Sequence, residues 1–451
     1  MSTGRGEVEA DEAAIFDVLV VGGGPAGSTV ATLLARAGRR VALVEKSRHP
    51  RFHIGESLLP ANVALLEKLG VRDAVERIGM PKWGVEFTSL EHAHRCFVEF
   101  ADAWDKSMPM AWQVRRSEFD EILFRHAAAS GVTAVEGCRV NSVDFSQPVV
   151  RAQAVLDDGA TRELRARFVV DATGRDTLLA NQLRSKRRNE RHNSAALFGH
   201  FSGARRLEGR LEGNISIFWF PHGWFWFIPL ADGSTSVGAV CWPQYLKTRD
   251  RPLREFFMDT IAMAPGLAER LQGATLVDDV VHATGNYSYA SDHCAGDRYV
   301  MIGDAYAFID PVFSSGVYLA MSNAFVAAEV VGTVLDRPQD AAAEYARLDR
   351  HMRRGPREFS WFIYRMTNPT MRDLFMHPRN LMRAKEAVLA VLAGDVYGRS
   401  PIQPSLGFFK AVYYLSSALN LKRTWSAWQA RRAKLRQPPA LDGETVMRPS
   451  A

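Results

Sequence analysis

The chain has only four cysteines, Cys96, Cys138, Cys241 and Cys294, and none lies in a CxxC pair. That spacing excludes a zinc knuckle and a dithiol redox centre, so buried free thiols and no metal site are expected. The first fifteen residues lack a basic segment followed by an apolar one. No secretory leader is therefore expected, and the chain is assigned to the cytoplasm. Long apolar runs are missing too: the most apolar stretch, residues 215–230, is broken by Pro221, His222 and Pro229. It falls short of the roughly 18 uninterrupted apolar residues a bilayer span needs. No internal repeat is present, which disfavours a solenoid.

What is there is ordinary globular composition, 47% hydrophobic and 24% charged over 451 residues. That length predicts two or three units with an extensive core. The formal charge of +6 is concentrated in two places. Residues 184–191 (RSKRRNER) read as a solvated loop. Residues 422–436 interleave Trp425 and Trp428 with Lys422, Arg423, Arg431, Arg432, Lys434 and Arg436. No nucleic-acid motif accompanies this charge, so a nucleic-acid partner is not expected. Two readings of the second cluster stay open: a docking surface for an acidic protein, or a basic amphipathic helix that covers the core or touches lipid.

Residues 16–21 (FDVLVV) form an apolar, β-branched run ending in glycines, followed by helical spacing and a second run at 40–44 (RVALV). This is a β-α-β pattern. Similar runs return at 167–170, before Asp171, and at 299–302, before Gly303, as central parallel strands require. Residues 83–104 and 195–240 are aromatic and alternating, and predict an inserted antiparallel sheet. From about Arg353 the apolar positions become helically periodic.

Gly22, Gly24, Pro25, Ala26 and Gly27 fall in a GxGxxG pattern after the first strand. Gly22 permits the tight turn, Gly24 lets the backbone approach a pyrophosphate, and Gly27 lets helix and strand pack closely. Glu45, followed by Lys46, ends the second strand 23 residues after Gly22, where a carboxylate can accept from a ribose diol. The pattern by itself suits NAD as well as FAD.

Further segments separate the two by resemblance. Asp171-Ala172-Thr173-Gly174-Arg175 and Gly303-Asp304-Ala305 resemble the downstream motifs of the FAD-dependent aromatic hydroxylase superfamily, the para-hydroxybenzoate hydroxylase type. The resemblance implies that Asp304 contacts the ribityl or ribose part of FAD. Gln113-Val114-Arg115-Arg116 with Phe119-Asp120 is similar to a stretch whose Arg, here Arg116, binds the cofactor. For Gln113 a solvated amide at a helix start is an equal reading.

Trp224-Phe225-Trp226-Phe227-Ile228-Pro229 reads WxWxIP and resembles the signature of the flavin-dependent halogenases. Gly55-Glu56-Ser57-Leu58-Leu59-Pro60, Lys82-Trp83-Gly84-Val85-Glu86-Phe87 and Asp310-Pro311-Val312-Phe313-Ser314-Ser315-Gly316-Val317 follow that family's order, so the resemblance spans about residues 16–320.

The resemblance implies an α/β fold: a glutathione-reductase-like, Rossmann-type FAD-binding domain over 14–350 (segments 14–82, 110–183 and 290–350). The inserted substrate-domain segments are 83–109 and 184–289. A helical C-terminal region spans 351–440, with disordered tails at 1–13 and 441–451.

It also implies an enzyme. FADH2 from a separate NADH-dependent reductase reacts with dioxygen to a C4a-hydroperoxide, which oxidises chloride or bromide to hypohalous acid. Gly316 and Val317 lie beside the flavin, and backbone around Ser315 and Gly316 holds the halide. Trp224, Trp226, Ile228 and Pro229 wall the flavin off from the substrate, and Lys82 relays the halogen. The acceptor is an electron-rich phenol, pyrrole or polyketide-type aromatic, free or on an acyl carrier protein. Glu56 is read either as a helix-start cap or as a carboxylate near the active site. His377, Met376 and Met382 are candidates for a substrate mouth or for packing. The alternatives are an aromatic hydroxylase, a geranylgeranyl-reductase-like flavoprotein and a flavin-binding scaffold.

Overall fold

A computed structural model describes residues 15–285 and 288–436. The segments read as tails, 1–13 and 441–451, lie outside the described residues.

The β-branched run at the N-terminus becomes strand Ile15–Val21, buried on both faces at the centre of an eight-stranded sheet. It pairs in parallel with Thr161–Asp171 on one side and Val41–Glu45 on the other, with Val20 opposite Val170 and Leu43. Tyr299–Met301 and Thr133–Glu136 extend the parallel set outward. Parallel pairing brings the carboxyl ends of these strands to one edge. The glycine turn after Val21, Asp171 and the Gly303-Asp304 corner therefore converge there, as binding at the carboxyl edge of an α/β sheet requires.

The second sheet runs in the order Thr275–Leu276, Ala195–Ser202, Thr235–Cys241, Gly223–Pro229, Ile215–Phe220, Gly84–Thr88 and Cys96–Glu99. It is antiparallel except where Ile215–Phe220 meets Gly84–Thr88 in parallel, a join between two segments distant in sequence. The WxWxIP strand is buried throughout. Its alternation sends Phe225 and Phe227 into a core with Phe257, Ile261 and Leu267, while Trp224, Trp226 and Ile228 face the other way. Gly238, paired with Trp226, leaves the space for that indole: a Cβ there would lie 2.2 Å from the ring.

The α/β class, the inserted sheet and the helical C-terminal region are all present. Helix Ala341–Ile363 runs across the junction expected at 350, so the helical region begins inside the nucleotide domain. It continues through Pro369–Met376, Ala384–Ala393, Gln403–Leu419 and Leu421–Arg436. Residues 186–188, read as loop, form a strand paired with Tyr289–Ser291. The four cysteines are buried and free. Among the described residues one helix, Ser315–Asp336, is long and apolar enough to cross a bilayer. Here it lies in the core, packed against Pro25–Arg36 and Ala341–Ile363.

Candidate active site

The convergence of strand ends produces a long cleft. Gly22, Gly24, Pro25, Ala26, Glu45 and Lys46 line one end; Arg116, Asp304, Gly316 and Val317 lie along it; Trp224, Trp226 and Ile228 close the other side. Gly27 and Pro229 are not in its lining. Gly27 acts from behind: a Cβ there would meet the Gly22 carbonyl oxygen at 1.8 Å, so only glycine lets helix and turn close. Gly22 has φ +107°, a left-handed value that favours glycine. Gly24 has open space in front of it, with only the Arg51 guanidinium 3.6 Å from a notional Cβ. Helix Pro25–Arg36 has no side-chain cap, so its first N–H groups remain available to an anion.

Glu45 does more than the sequence suggested. Its Oε2 accepts from Gly23 N at 2.7 Å and its Oε1 from Ser47 N at 3.0 Å, which holds the glycine turn. Lys46 pairs with Asp176 at 2.5 Å. Arg116 binds Asp120 through Nε at 2.8 Å and donates to the Ile54 carbonyl at 3.0 Å. Arg51, which no motif singled out, shares Asp120 at 3.1 Å and lines the cleft beside the glycine turn. Arg175 reaches Thr284 and the Gly285 carbonyl from the opposite wall. The cleft is thus lined by three guanidinium groups, which suit an anionic dinucleotide. Asp304 is pushed up to about 6 by desolvation, which outweighs the pull of Arg175 and Arg116. His53 in the same wall is pushed down to about 4, mainly by burial and by Arg116. The donors, the glycine cradle and the acids fit FAD.

Ser315 departs from its expected place, and the open readings of Glu56 and Gln113 narrow. Ser315 is buried and absent from the cleft lining; Ser314, in a left-handed conformation with φ 55°, takes that wall. Glu56 caps no helix, because the cap at Leu59 is made by Asn62 Oδ1 at 3.0 Å. Instead it is buried in the cleft wall, with one oxygen accepting from His200 at 2.7 Å and the other unpartnered. Gln113 is not solvated: it is buried, donates to the Gly213 carbonyl at 3.0 Å and stands outside the cleft.

Asp310, which the sequence offers only as the first residue of its motif, anchors the Pro311–Phe313 turn. It accepts from Val312 N at 3.1 Å, Ser194 Oγ at 2.9 Å and His192 Nε2 at 2.7 Å. The turn feeds Ser315–Asp336, whose N-terminus carries no side-chain cap. Gly316 and Val317, in its first turn, line the cleft.

Lys82 ends strand Met80–Lys82 and is 1% exposed. Its Nζ donates to Ser57 Oγ at 2.9 Å and the Leu58 carbonyl at 3.1 Å, and sits 5.2 Å above the Phe100 ring. Burial pushes its ammonium down to about 7. A neutral amine has two N–H groups and one lone pair, so those two bonds leave the lone pair uncommitted. Lys82 lines a cavity of about 20 Å³ together with Ile215, Phe87, Leu392 and Ser314. Ile215 and Ser314 also line the long cleft, so the two spaces are neighbours. The small cavity has room for one water-sized molecule.

The C-terminal candidates divide. His377 lines a further cavity between the C-terminal helices, Met376 is buried with its carbonyl bonded by His94, and Met382 is exposed. The basic stretch is helical. Trp425 stacks on Trp428, Arg423 pairs with Asp373 at 2.7 Å and with Glu91, and Arg431 donates to the Arg191 carbonyl at 2.7 Å.

Residues 16–353 match the family described as FAD binding domain. The chain is 38% identical over 340 residues to a tryptophan 2-halogenase of Chondromyces crocatus, covering 72% of this chain but 63% of that enzyme. It therefore spans less than two thirds of that relative. It is 30% identical over 408 residues to a 1H-pyrrole-2-carbonyl-(peptidyl-carrier protein) chlorinase of Pseudomonas fluorescens, covering 85% and 90% of the two chains. Among solved structures, the chondrochloren halogenase of a myxobacterium, an FAD-dependent halogenase, is similar with a TM-score of 0.75. Identity is 31%, with 86% of this chain and 92% of that one covered.

Proposed function

Because the chain belongs to the flavin-dependent halogenases, within the FAD-binding-domain family, we propose that it oxidises chloride or bromide and transfers the halogen through Lys82 to an electron-rich aromatic. Reduced FAD, supplied by a separate NADH-dependent reductase, provides two electrons for the balance FADH2 + O2 + X⁻ + H⁺ → FAD + HOX + H2O. The protein's own groups arrange the rest. Gly24 and the start of helix Pro25–Arg36 take the pyrophosphate, with Arg51 close by. Asp304 takes ribityl hydroxyls, and Arg116 the flavin edge or a phosphate. The uncapped N–H groups of Gly316 and Val317 hold the halide as partial positive charges, which leave it nucleophilic.

Trp224, Trp226 and Ile228 exclude the organic acceptor from the flavin side. The observation that carries the reading is the buried Lys82 amine, brought near neutrality by desolvation in a one-molecule cavity next to the flavin cleft. Desolvation thereby makes the neutral amine accessible near neutral pH. That amine can hydrogen-bond HOX or form a haloamine, and transfer follows as ArH + HOX → ArX + H2O. A relative named for a carrier-bound pyrrole supports a carrier-borne aromatic acceptor, and one named for tryptophan supports an electron-rich ring; free tryptophan itself is disfavoured, and a phenol or polyketide-type aromatic stays within the reading.

The test incubates protein, reductase, FAD, NADH and each halide with phenol, pyrrole and indole panels and reads isotope patterns by mass spectrometry. Lys82→Ala is expected to bind FAD and consume reduced flavin while forming almost no halogenated product. Wild-type halogenation by Lys82→Ala, or a hydroxylated product from the wild type, overturns the reading.

A further inference from the structure

A second, larger cavity borders the one at Lys82. A cavity of about 460 Å³ lies between strand Gly84–Thr88 and helices Pro369–Met376, Ala384–Ala393 and Gln403–Leu419. Phe87 and Leu392 line both it and the Lys82 cavity, so these two side chains form the partition between them. Phe87 packs edge-on against Phe375 at 5.1 Å and stacks on Trp219 at 5.6 Å, which fixes the partition as an aromatic surface. The walls are apolar, with Leu389, Phe409 and Val412 among them. The volume falls in the range that buries a small organic ligand.

The rim is different. Asp373 is neutralised by Arg423 at 2.7 Å and contacts His92 at 3.2 Å. Lys385 is paired with Asp102 at 2.7 Å. Arg379, also in the lining and exposed, has no carboxylate partner among the described residues. The neighbouring His377 adds no negative charge. An apolar chamber, separated from the Lys82 cavity by Phe87 and Leu392, thus has at its mouth a guanidinium without a carboxylate partner among the described residues. A guanidinium is matched by a carboxylate or a phosphate diester.

We infer that this chamber is the acceptor site, and that it selects an aromatic bearing an anionic tail, with the ring against Phe87 and Leu392 and the tail on Arg379. This rests on the halogenase reading and adds to it the chemical class of the acceptor and a specificity residue. The anion has two sources: the carboxylate of a free aromatic acid, or the phosphate of a phosphopantetheine arm.

The test compares four acceptors that share one hydroxyphenyl ring: the propanoic acid, its methyl ester, its N-acetylcysteamine thioester and its phosphopantetheine thioester. Kinetics with bromide and the reductase are expected to favour an anionic member over its neutral counterpart by about tenfold in kcat/KM, mainly through KM, as one charge-assisted contact of about 1.4 kcal/mol gives. A preference for the acid over the ester, or for the phosphopantetheine over the N-acetylcysteamine thioester, supports the site and identifies the source. Arg379→Ala should bring the favoured ratio to about one, and Arg379→Lys should restore part of it. Calorimetric titration of the same compounds follows binding without turnover, and Val412→Trp, which narrows the chamber beside Phe409, should weaken acid and ester alike.

Equal binding of charged and neutral members, a preference that survives Arg379→Ala, or full acid binding by Val412→Trp overturns the inference. Failure of the halogenase reading is seen separately, as absence of halide-dependent halogenation of monochlorodimedone by the wild type.

Discussion

Around the glycine turn an added methyl group meets backbone: at Gly27 a carbonyl oxygen 1.8 Å away, at Gly22 another at 2.3 Å. In the chamber of the C-terminal helices the walls are leucine, valine and phenylalanine side chains, which exchange for one another at modest cost when volume is kept. The cofactor end is thus specified by where the main chain can go, and the acceptor end by how much space side chains leave. Backbone constraints impose particular residues at particular spacings, whereas a volume constraint is satisfied by many sequences. One end can hold its cofactor while the other changes its substrate.

The comparison breaks first at the glycines. Gly27→Val should abolish the fold of the nucleotide domain, since the collision is with main chain that cannot rotate away. Circular dichroism should show no cooperative transition like that of the wild type. Gly24→Val should keep the fold, because only the Arg51 side chain is near, but weaken FAD by roughly a hundredfold or more, about 3 kcal/mol. A flavin-fluorescence titration measures this. Normal FAD affinity in a folded Gly24→Val protein would mean that the pyrophosphate lies elsewhere.

The next effect concerns Lys82, the residue between the two ends. Its folded value is depressed from 10.5 to about 7, so between those pH values the unfolded chain binds the extra proton and stability rises with pH. Below about 7 both states are protonated and the cost of burying the charge is fully present. Lys82→Met should therefore stabilise the protein by an amount on the order of a few kcal/mol at pH 6–7, shrinking as pH approaches 10. Halogen transfer by the wild type should rise through pH 7 as the neutral amine accumulates. Thermal melts across pH check the first and single-turnover product yields the second. A stability difference that grows with pH would overturn the assignment of a depressed amine.

These contrasts also explain what the sequence could reveal. Gly22, Gly27, Asp171 and the Gly303-Asp304 corner were legible because each sits where parallel strands end and the main chain turns sharply. Trp224 and Trp226 were legible as a strand whose alternation divides two cores. Glu45 was found for one role and holds the turn in another, since a carboxylate's partners depend on Gly23 and Ser47 geometry that spacing does not encode. Arg51, Glu56 with His200, and Asp310 with His192 and Ser194 act across separations of tens to more than a hundred residues, so no local pattern announces them. Ser314, in a left-handed conformation, lines the cleft where Ser315 does not. Arg379 had no motif at all; its significance is that its neighbours' charges are cancelled and its own is not.

The smallest effect expected lies at the edge of the acceptor chamber, where Arg423 of the last helix reaches Asp373 and Glu91. All three side chains are more than a third exposed, so water screens the pairs and their contribution to stability is at most about 1 kcal/mol. Arg423→Ala should lower the melting temperature by only about 1–3 °C at low salt, with the difference fading as added salt screens the wild-type pairs. Its effect on anionic acceptors should be as revealing as its effect on stability. With Arg423 gone, Asp373 keeps His92 as its ion-pair partner among the described residues, with Arg372 nearby, and presents more negative charge in the lining it shares with Arg379. KM for an aromatic acid should then rise about two- to threefold, as expected for an exposed charge contributing a few tenths of a kcal/mol, while KM for the methyl ester stays level. An equal rise for acid and ester would mean that the last helix shapes the chamber by packing rather than by charge.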